Sequence, residues 1–233
     1  MASQITIDSR FHGPPASGNG GYVCGLLARF IDGPTEVTLR RPAPLDRPLE
    51  VARADGVVRL LDGDTLIAEA VPAAVDIALP QPVSFEEAQA ASQAYPGLRS
   101  HPFPECFVCG PQRREGDGLR LFSGPLPGSD VTAAPWVPPA SLAGPDGHLS
   151  PEFVWAALDC PSGWSLSAQM PGRHAVLGRL AARLTAPVVP GDRYVVLAWP
   201  LGFEGRKGFA GAALFSAGGR LHAAARSTWV RLD

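Results

Sequence analysis

Ser17-Gly18-Asn19-Gly20-Gly21-Tyr22-Val23-Cys24-Gly25-Leu26-Leu27 carries a polar, glycine-rich loop directly into an apolar helical pattern. Tyr22, Val23, Leu26, Leu27 and Phe30 recur at spacings that place them on one side of a helix. Glycines just ahead of a helix allow close approach to its first turn, because they carry no side chain. The first-turn N–H groups have no partner within the helix and can hold a carbonyl oxygen or an anion. An ordinary loop and helix start would look the same, so the stretch takes its meaning from the rest of the chain.

On the N-terminal side, Ile5-Thr6-Ile7-Asp8 alternates as a strand and runs out at Phe11-His12-Gly13. After the helix, which the Asp32-Gly33-Pro34 stop signal ends, come strands at Glu36–Arg40, Leu49–Arg53, Val57–Leu61 and Thr65–Val71. Asp55-Gly56 and Asp62-Gly63-Asp64 separate the last three, a strong hairpin signal. Residues 80–117 differ in character. Ser84 caps a short helix with Glu87 completing a capping box, and the compact segment from His101 to Gly110 contains Cys106-x-x-Cys109.

From Gly118 the pattern begins again. Leu119–Phe122 and Val131–Trp136 are strand-like. Ser150-Pro151-Glu152 starts a helix, with Ser150 as N-cap and Pro151 at the first helical position. That helix is expected to stop at Pro161-Ser162-Gly163, and four long strands follow from Ala175 to Arg231. Both halves read strand, loop, helix, then strands joined by hairpins. Local echoes pair Tyr22-Val23 with Phe153-Val154, and Pro42–Arg47 with Pro187–Asp192. Two copies of one unit account for this, at 1–79 and 118–233, with a connector at 80–117. The two are expected to pair sheet edge to sheet edge, helices adjacent.

The composition sets limits. The chain has 233 residues, 45% of them hydrophobic, enough for a substantial core. The 20 Lys+Arg against 22 Asp+Glu leave a formal charge of −2, which gives no global attraction to nucleic acid or anionic membranes. Neither a signal peptide nor a membrane-length apolar run is evident. A cytoplasmic location is expected, with Cys24, Cys106, Cys109 and Cys160 as thiols or metal ligands rather than disulfides.

The element order, the Gly18-Asn19-Gly20-Gly21-Tyr22 motif and the Pro-x-x-Pro-Gly-Asp run at Pro187–Asp192 resemble the hotdog fold. In that α+β fold an antiparallel sheet wraps a central helix, and two units in tandem are similar to a double-hotdog acyl-CoA thioesterase. The resemblance covers nearly the whole chain except the connector. It implies a site at the seam between units, where one helix N-terminus holds the thioester carbonyl. A carboxylate about two turns down the other helix then acts as base or nucleophile. It also implies an acyl-CoA-type substrate, no cofactor, and room for a homodimer of double hotdogs. The Asp and His found a few residues apart on the helix in the dehydratase branch of the fold are missing here.

Aligning Tyr22 with Phe153 places Ala28 opposite Asp159, so only the second helix keeps a carboxylate. Pro151 removes a donor from the second helix start, while Gly20 and Gly21 leave the first open. One competent site per chain is therefore expected, with Asp159 and Asn19 as catalytic candidates. Gly20, Gly21, Tyr22, His12 and Ser162 are candidates for substrate binding. Asp159 also reads as a residue at the helix end bonded to the loop at Ser162 or Gly163, Asn19 as a left-handed turn residue, His12 as structural and Ser162 as a turn. Arg113, Arg114, Arg173, Arg179, Arg206 and Lys207 are candidates for the phosphates of coenzyme A or for plain surface. Cys106, Cys109 and His101 make a weak zinc signal, with no fourth ligand near in sequence; the plainer reading is two small buried residues in a tight knuckle. Dinucleotide and nucleophile-elbow motifs are absent. A non-catalytic acyl binder and a hotdog dehydratase or hydratase remain as alternatives.

Overall fold

The structure, a computed structural model, describes residues 3–169 and 175–232. In chain order the regular elements are β1 (Ser3–Thr6), α1 (Gly20–Ala28), β2 (Thr35–Leu39), β3 (Pro48–Ala54), β4 (Val57–Asp62), β5 (Thr65–Pro72), α2 (Phe85–Ser92), β6 (Gly124–Pro125), β7 (Thr132–Trp136), α3 (Pro151–Ser165), β8 (Ala175–Leu184), β9 (Tyr194–Glu204), β10 (Lys207–Ser216) and β11 (Leu221–Arg231). The strands form one antiparallel sheet in the order β1-β3-β4-β5-β2-β8-β11-β10-β9-β7-β6. Within each half the order is the same. Counting from β1, the first five strands lie as first-third-fourth-fifth-second; counting from β7, the last five do too. α1 joins β1 to β2, and α3 joins β7 to β8. The halves meet where β2 pairs with β8, Thr35 opposite Ala182 through Thr38 opposite Arg179. At the β3–β4 hairpin, Asp55 (φ 54°) and Gly56 (φ 74°) both take the left-handed conformation that matches the twist of the flanking strands.

α1 and α3 lie side by side, buried under the sheet. Gly21 and Gly25, one helical turn apart, are what lets them touch. A Cβ on Gly21 would stand 2.4 Å from Asp159 Cβ and 2.7 Å from the Trp155 carbonyl oxygen; one on Gly25 would stand 2.5 Å from Glu152 Cα. Glu152, Trp155 and Asp159 recur at helical spacing, so a single stripe of α3 faces the glycine stripe of α1. Apolar residues of both helices and both halves of the sheet merge into one core.

α2 covers the opposite face of the sheet. Phe85, Ala88 and Ala91 pack on Ala133, Val195, Leu197 and Phe215. This explains the run Tyr194–Ala198 in β9, buried at every position rather than alternating: it has helices on both sides. The capping box holds, with Ser84 Oγ accepting from the Glu87 N–H and the Glu87 carboxylate accepting from the Ser84 N–H.

Four local expectations are corrected. α3 does not stop at Pro161 but runs to Ser165. Its last turn is held by side chains: Ser162 Oγ donates to the Asp159 carbonyl at 2.7 Å, and Ser165 Oγ to the Ser162 carbonyl at 2.8 Å. Ser150 makes no side-chain cap bond, although it precedes Pro151 as expected. Leu119–Phe122 is not a sheet strand. Its backbone bonds the cysteine segment instead, Leu119 N–H to the Phe107 carbonyl and Leu121 N–H to that of Val108, both at 2.9 Å, with Arg120 between them at φ 52°. The first helix also closes earlier than its Gly-Pro stop signal, at Ala28. No helix among the described residues is long and apolar enough to cross a membrane.

Candidate active site

The loop ahead of α1 is closed by Asn19, whose side chain does two things. Its Oδ1 accepts from the Tyr22 N–H at 3.0 Å, capping the helix, and its Nδ2 donates to Asp159 Oδ2 at 3.0 Å. The residue is extended (φ −58°), so the left-handed turn reading is set aside. The Gly21 N–H donates to the same Asp159 oxygen at 2.8 Å. A carboxylate from the middle of α3 thus sits on the N-terminus of α1, where the helix dipole favours negative charge.

Asp159 is 2% exposed. Burial pushes its carboxyl up to about 7, against the bonds from Gly21 and Asn19, which pull it down. Oδ1 has no hydrogen-bond partner. Asp159 lines a cavity of about 910 Å³ together with Asn19, Gly20, Leu39, Leu177 and Trp229, an apolar hollow at the junction of the two halves. Gly20 lines the cavity, and no loop carbonyl or side chain accepts from its N–H among the described residues.

The other expected residues divide. Tyr22 is buried, its ring stacked on Phe11 at 4.4 Å and set against Phe107 and Phe153, and burial raises its phenol well above the usual range. It is a core residue whose N–H serves the Asn19 cap. His12 lies outside the cavity, in a surface groove with Arg113, Arg114 and Glu115, its Nδ1 3.3 Å from the Gly13 carbonyl. Ser162 is also absent from the cavity wall. It is fully buried and accepts from Ser227 Oγ at 2.8 Å and Trp229 Nε1 at 2.9 Å, which ties α3 to β11. The Asp159 side chain makes no bond to Ser162 or Gly163, and with the helix running on to Ser165 it is not at the helix end.

The described basic candidates do not line the cavity. Arg113 and Arg114 line the separate groove, Arg179 pairs with Glu36, and Arg206 and Lys207 stand at the β9–β10 turn. Arg173 lies outside the described residues. Sequence reasoning missed Arg40 and Arg41, which follow β2 and line the cavity mouth. Arg40 is paired with Glu69, whereas Arg41 is exposed with no ion pair among the described residues.

The cysteines are all free and buried. Cys160, the residue after Asp159, meets the connector pair: its sulfur lies 3.7 Å from that of Cys106, and Cys106, Cys109 and Cys160 Sγ all fall within 4.8 Å of one another. Donation from the neighbouring thiols holds Cys106 well below the usual thiol range. His101 Nε2 is 3.3 Å from Cys109 Sγ. The signal for Cys160 was its place beside the carboxylate on α3, but only the packing of connector on helix brings it to the pair.

No protein-family model matches this sequence, and no curated protein matches it. Solved structures do. The tesB protein of Mycobacterium avium subsp. paratuberculosis superposes with a TM-score of 0.58 at 12% identity, over 92% of this chain and 87% of that one. A proposed thioesterase from Novosphingobium aromaticivorans gives 0.61 at 13% identity, over 99% and 95%. A conserved hotdog-fold protein of unknown function from Alicyclobacillus acidocaldarius gives 0.61 at 10% identity, over 100% and 96%. At such identities the likeness speaks for the fold, and the fold is the hotdog, shared over nearly the full chain with structures named as thioesterases.

Proposed function

We propose that this chain is a thioester hydrolase acting on acyl-CoA-type substrates, built as two hotdog units in tandem (1–79 and 118–233) with a connector at 80–117 and one site at their seam. The observation that carries the reading is the Asp159 carboxyl of α3, bonded to the Gly21 N–H at the start of α1 on the wall of a largely apolar cavity. The shared strand order of the two halves supports the tandem arrangement. The single site is supported by Ala28 and Pro151, which leave the equivalent seam position without a carboxylate and short of one donor.

In the proposed reaction the acyl chain lies in the cavity and the Gly20 N–H faces the thioester carbonyl oxygen. Asp159 accepts a proton from water as the water oxygen bonds to the carbonyl carbon. The carbon–sulfur bond then breaks, and the proton passes from Asp159 to the departing sulfur, leaving a carboxylic acid and a thiol. Asn19 and Gly21 hold Oδ2, leaving Oδ1 for this work. A carboxyl near neutral in affinity suits a base that must take up and return a proton. Arg41 at the mouth is placed for a phosphate of the carrier.

A second reading, an acyl-thioester binder without turnover, is favoured by one observation: the Gly21 N–H is already spent on Asp159. Thiol release from a panel of acyl-CoAs by the native protein and by Asp159→Asn separates the two. Release by the native protein alone supports hydrolysis, binding without release by either supports the binder, and conversion of an enoyl-CoA without free thiol points to a hydratase.

A further inference from the structure

We propose that Cys106, Cys109 and Cys160 bind a zinc ion that fastens the connector to α3. The sulfurs stand near the spacing that tetrahedral zinc requires. Tetrahedral zinc with Zn–S bonds of about 2.3 Å sets its sulfurs about 3.8 Å apart. Cys106 and Cys160 stand at 3.7 Å, and all three sulfurs lie within 4.8 Å of one another. Soft thiolates select zinc among the common divalent ions.

The backbone is shaped for the same purpose. The Gly110 N–H donates to the Cys106 carbonyl at 2.9 Å, and the Cys106 N–H to that of Phe103 at 2.9 Å. A Cβ on Gly110 would come 2.5 Å from the Cys106 nitrogen and 2.6 Å from the Pro104 oxygen, so the turn closes only on glycine. The segment around Cys106 and Cys109 is thus a tight knuckle that holds both sulfurs on one side.

The surroundings supply donors too. Asn19 Nδ2 lies 3.9 Å from Cys106 Sγ and 3.7 Å from Cys160 Sγ. The Phe103 N–H donates to His101 Nδ1 at 2.9 Å, so the ring proton sits on Nε2, which is 3.3 Å from Cys109 Sγ. His101 is therefore a donor to a ligand sulfur rather than a ligand, the usual form of outer-shell support. Three clustered thiols ringed by N–H donors are poorly served as apolar packing, and a disulfide would leave the third sulfur alone. Zinc would satisfy all three and hold the turn of α3 that carries Asp159. The site stands whether or not the chain hydrolyses thioesters.

The test is elemental analysis of the full chain purified without chelator, followed by cobalt reconstitution. About one zinc per chain is expected, falling at least about tenfold in each of Cys106→Ser, Cys109→Ser and Cys160→Ser. Cys24→Ser, a buried cysteine outside the cluster, and His101→Gln should keep it. Cobalt should give thiolate charge-transfer bands with tetrahedral d–d absorption. If the serine variants fail to fold, the native protein carries the test: a chelator should release one zinc as three thiols become reactive. A native protein that takes up neither metal, or serine variants that keep zinc, would overturn the site. Loss from His101→Gln as complete as from the serine variants would overturn the three-thiolate assignment.

Discussion

Gly21→Ala places two effects in opposition, and the structure decides between them. In an isolated helix the change gains about 1 kcal/mol, because alanine is the better helix former. Here the new Cβ would lie 2.4 Å from Asp159 Cβ, 2.7 Å from the Trp155 oxygen and 3.0 Å from Ala156 Cα. Carbon pairs settle at about 3.5–4.0 Å, so α1 and α3 must separate by roughly 1 Å, and none of the three atoms is the end of a flexible side chain. Overpacking of this kind costs about 1–3 kcal/mol, which outweighs the helix gain and leaves a net loss near 1 kcal/mol. For a chain of this size that is a fall of about 2–4 °C in Tm. The same movement stretches the 2.8 Å Gly21–Asp159 and 3.0 Å Asn19–Asp159 bonds beyond hydrogen-bonding reach, so thioester hydrolysis should fall much further than stability. Gly25→Ala is the control, with an equal clash against Glu152 Cα at 2.5 Å and no bond to Asp159. Urea unfolding and acyl-CoA hydrolysis would be measured on both. Stability unchanged or raised in Gly21→Ala would refute the close helix crossing. Equal activity losses in the two variants would refute the special role of the Gly21–Asp159 contact.

Other outcomes follow from single contacts. Asp159→Asn should lower kcat at least about a hundredfold, the scale of a lost general base, while changing stability by about 1 kcal/mol or less because the amide still accepts from Gly21; retained turnover would remove Asp159 from the mechanism. Ser162→Ala strands the Trp229 Nε1 donor in the core, while Ser227 Oγ can still donate to the Ala210 carbonyl, and should cost about 1–3 kcal/mol in urea unfolding with KM unchanged, since Ser162 does not line the cavity. Arg41→Glu should raise KM for an acyl-CoA about tenfold, worth about 1.4 kcal/mol, but not for the corresponding pantetheine thioester, which lacks the nucleotide phosphates. Equal effects on both would take Arg41 away from the carrier.

The residues that were legible in the sequence share a property: their role depends on neighbours along the chain. The Asp55-Gly56 hairpin, the Ser84–Glu87 capping box and the two helix starts are local, and each stands where its residues place it. That Asp159 would face the Gly20-Gly21 start of the first helix was readable because the repeat aligned the two helices. His12 and Ser162 stand away from the cavity because the direction in which a side chain leaves its element is set by packing. His12 turns to the outer groove, and Ser162 turns to β11 because Pro161 fails to end the helix. Proline is disfavoured inside a helix for its missing N–H and its ring, yet buried serine bonds and the Trp229 contact hold the last turn in place.

By itself the sequence determined the alternation, the turns, the order of elements and their repetition, since these arise from residue size, polarity and backbone freedom over short spans. Only the tertiary structure decided how closely α1 and α3 approach, because that distance depends on Gly21 and Gly25 meeting a particular stripe of another helix. It also decided that Cys160 joins Cys106 and Cys109 across more than fifty residues of chain, and that Arg40 and Arg41 line the cavity. Such encounters belong to the packing of sheet, helix and connector together, and no local pattern of residues encodes them.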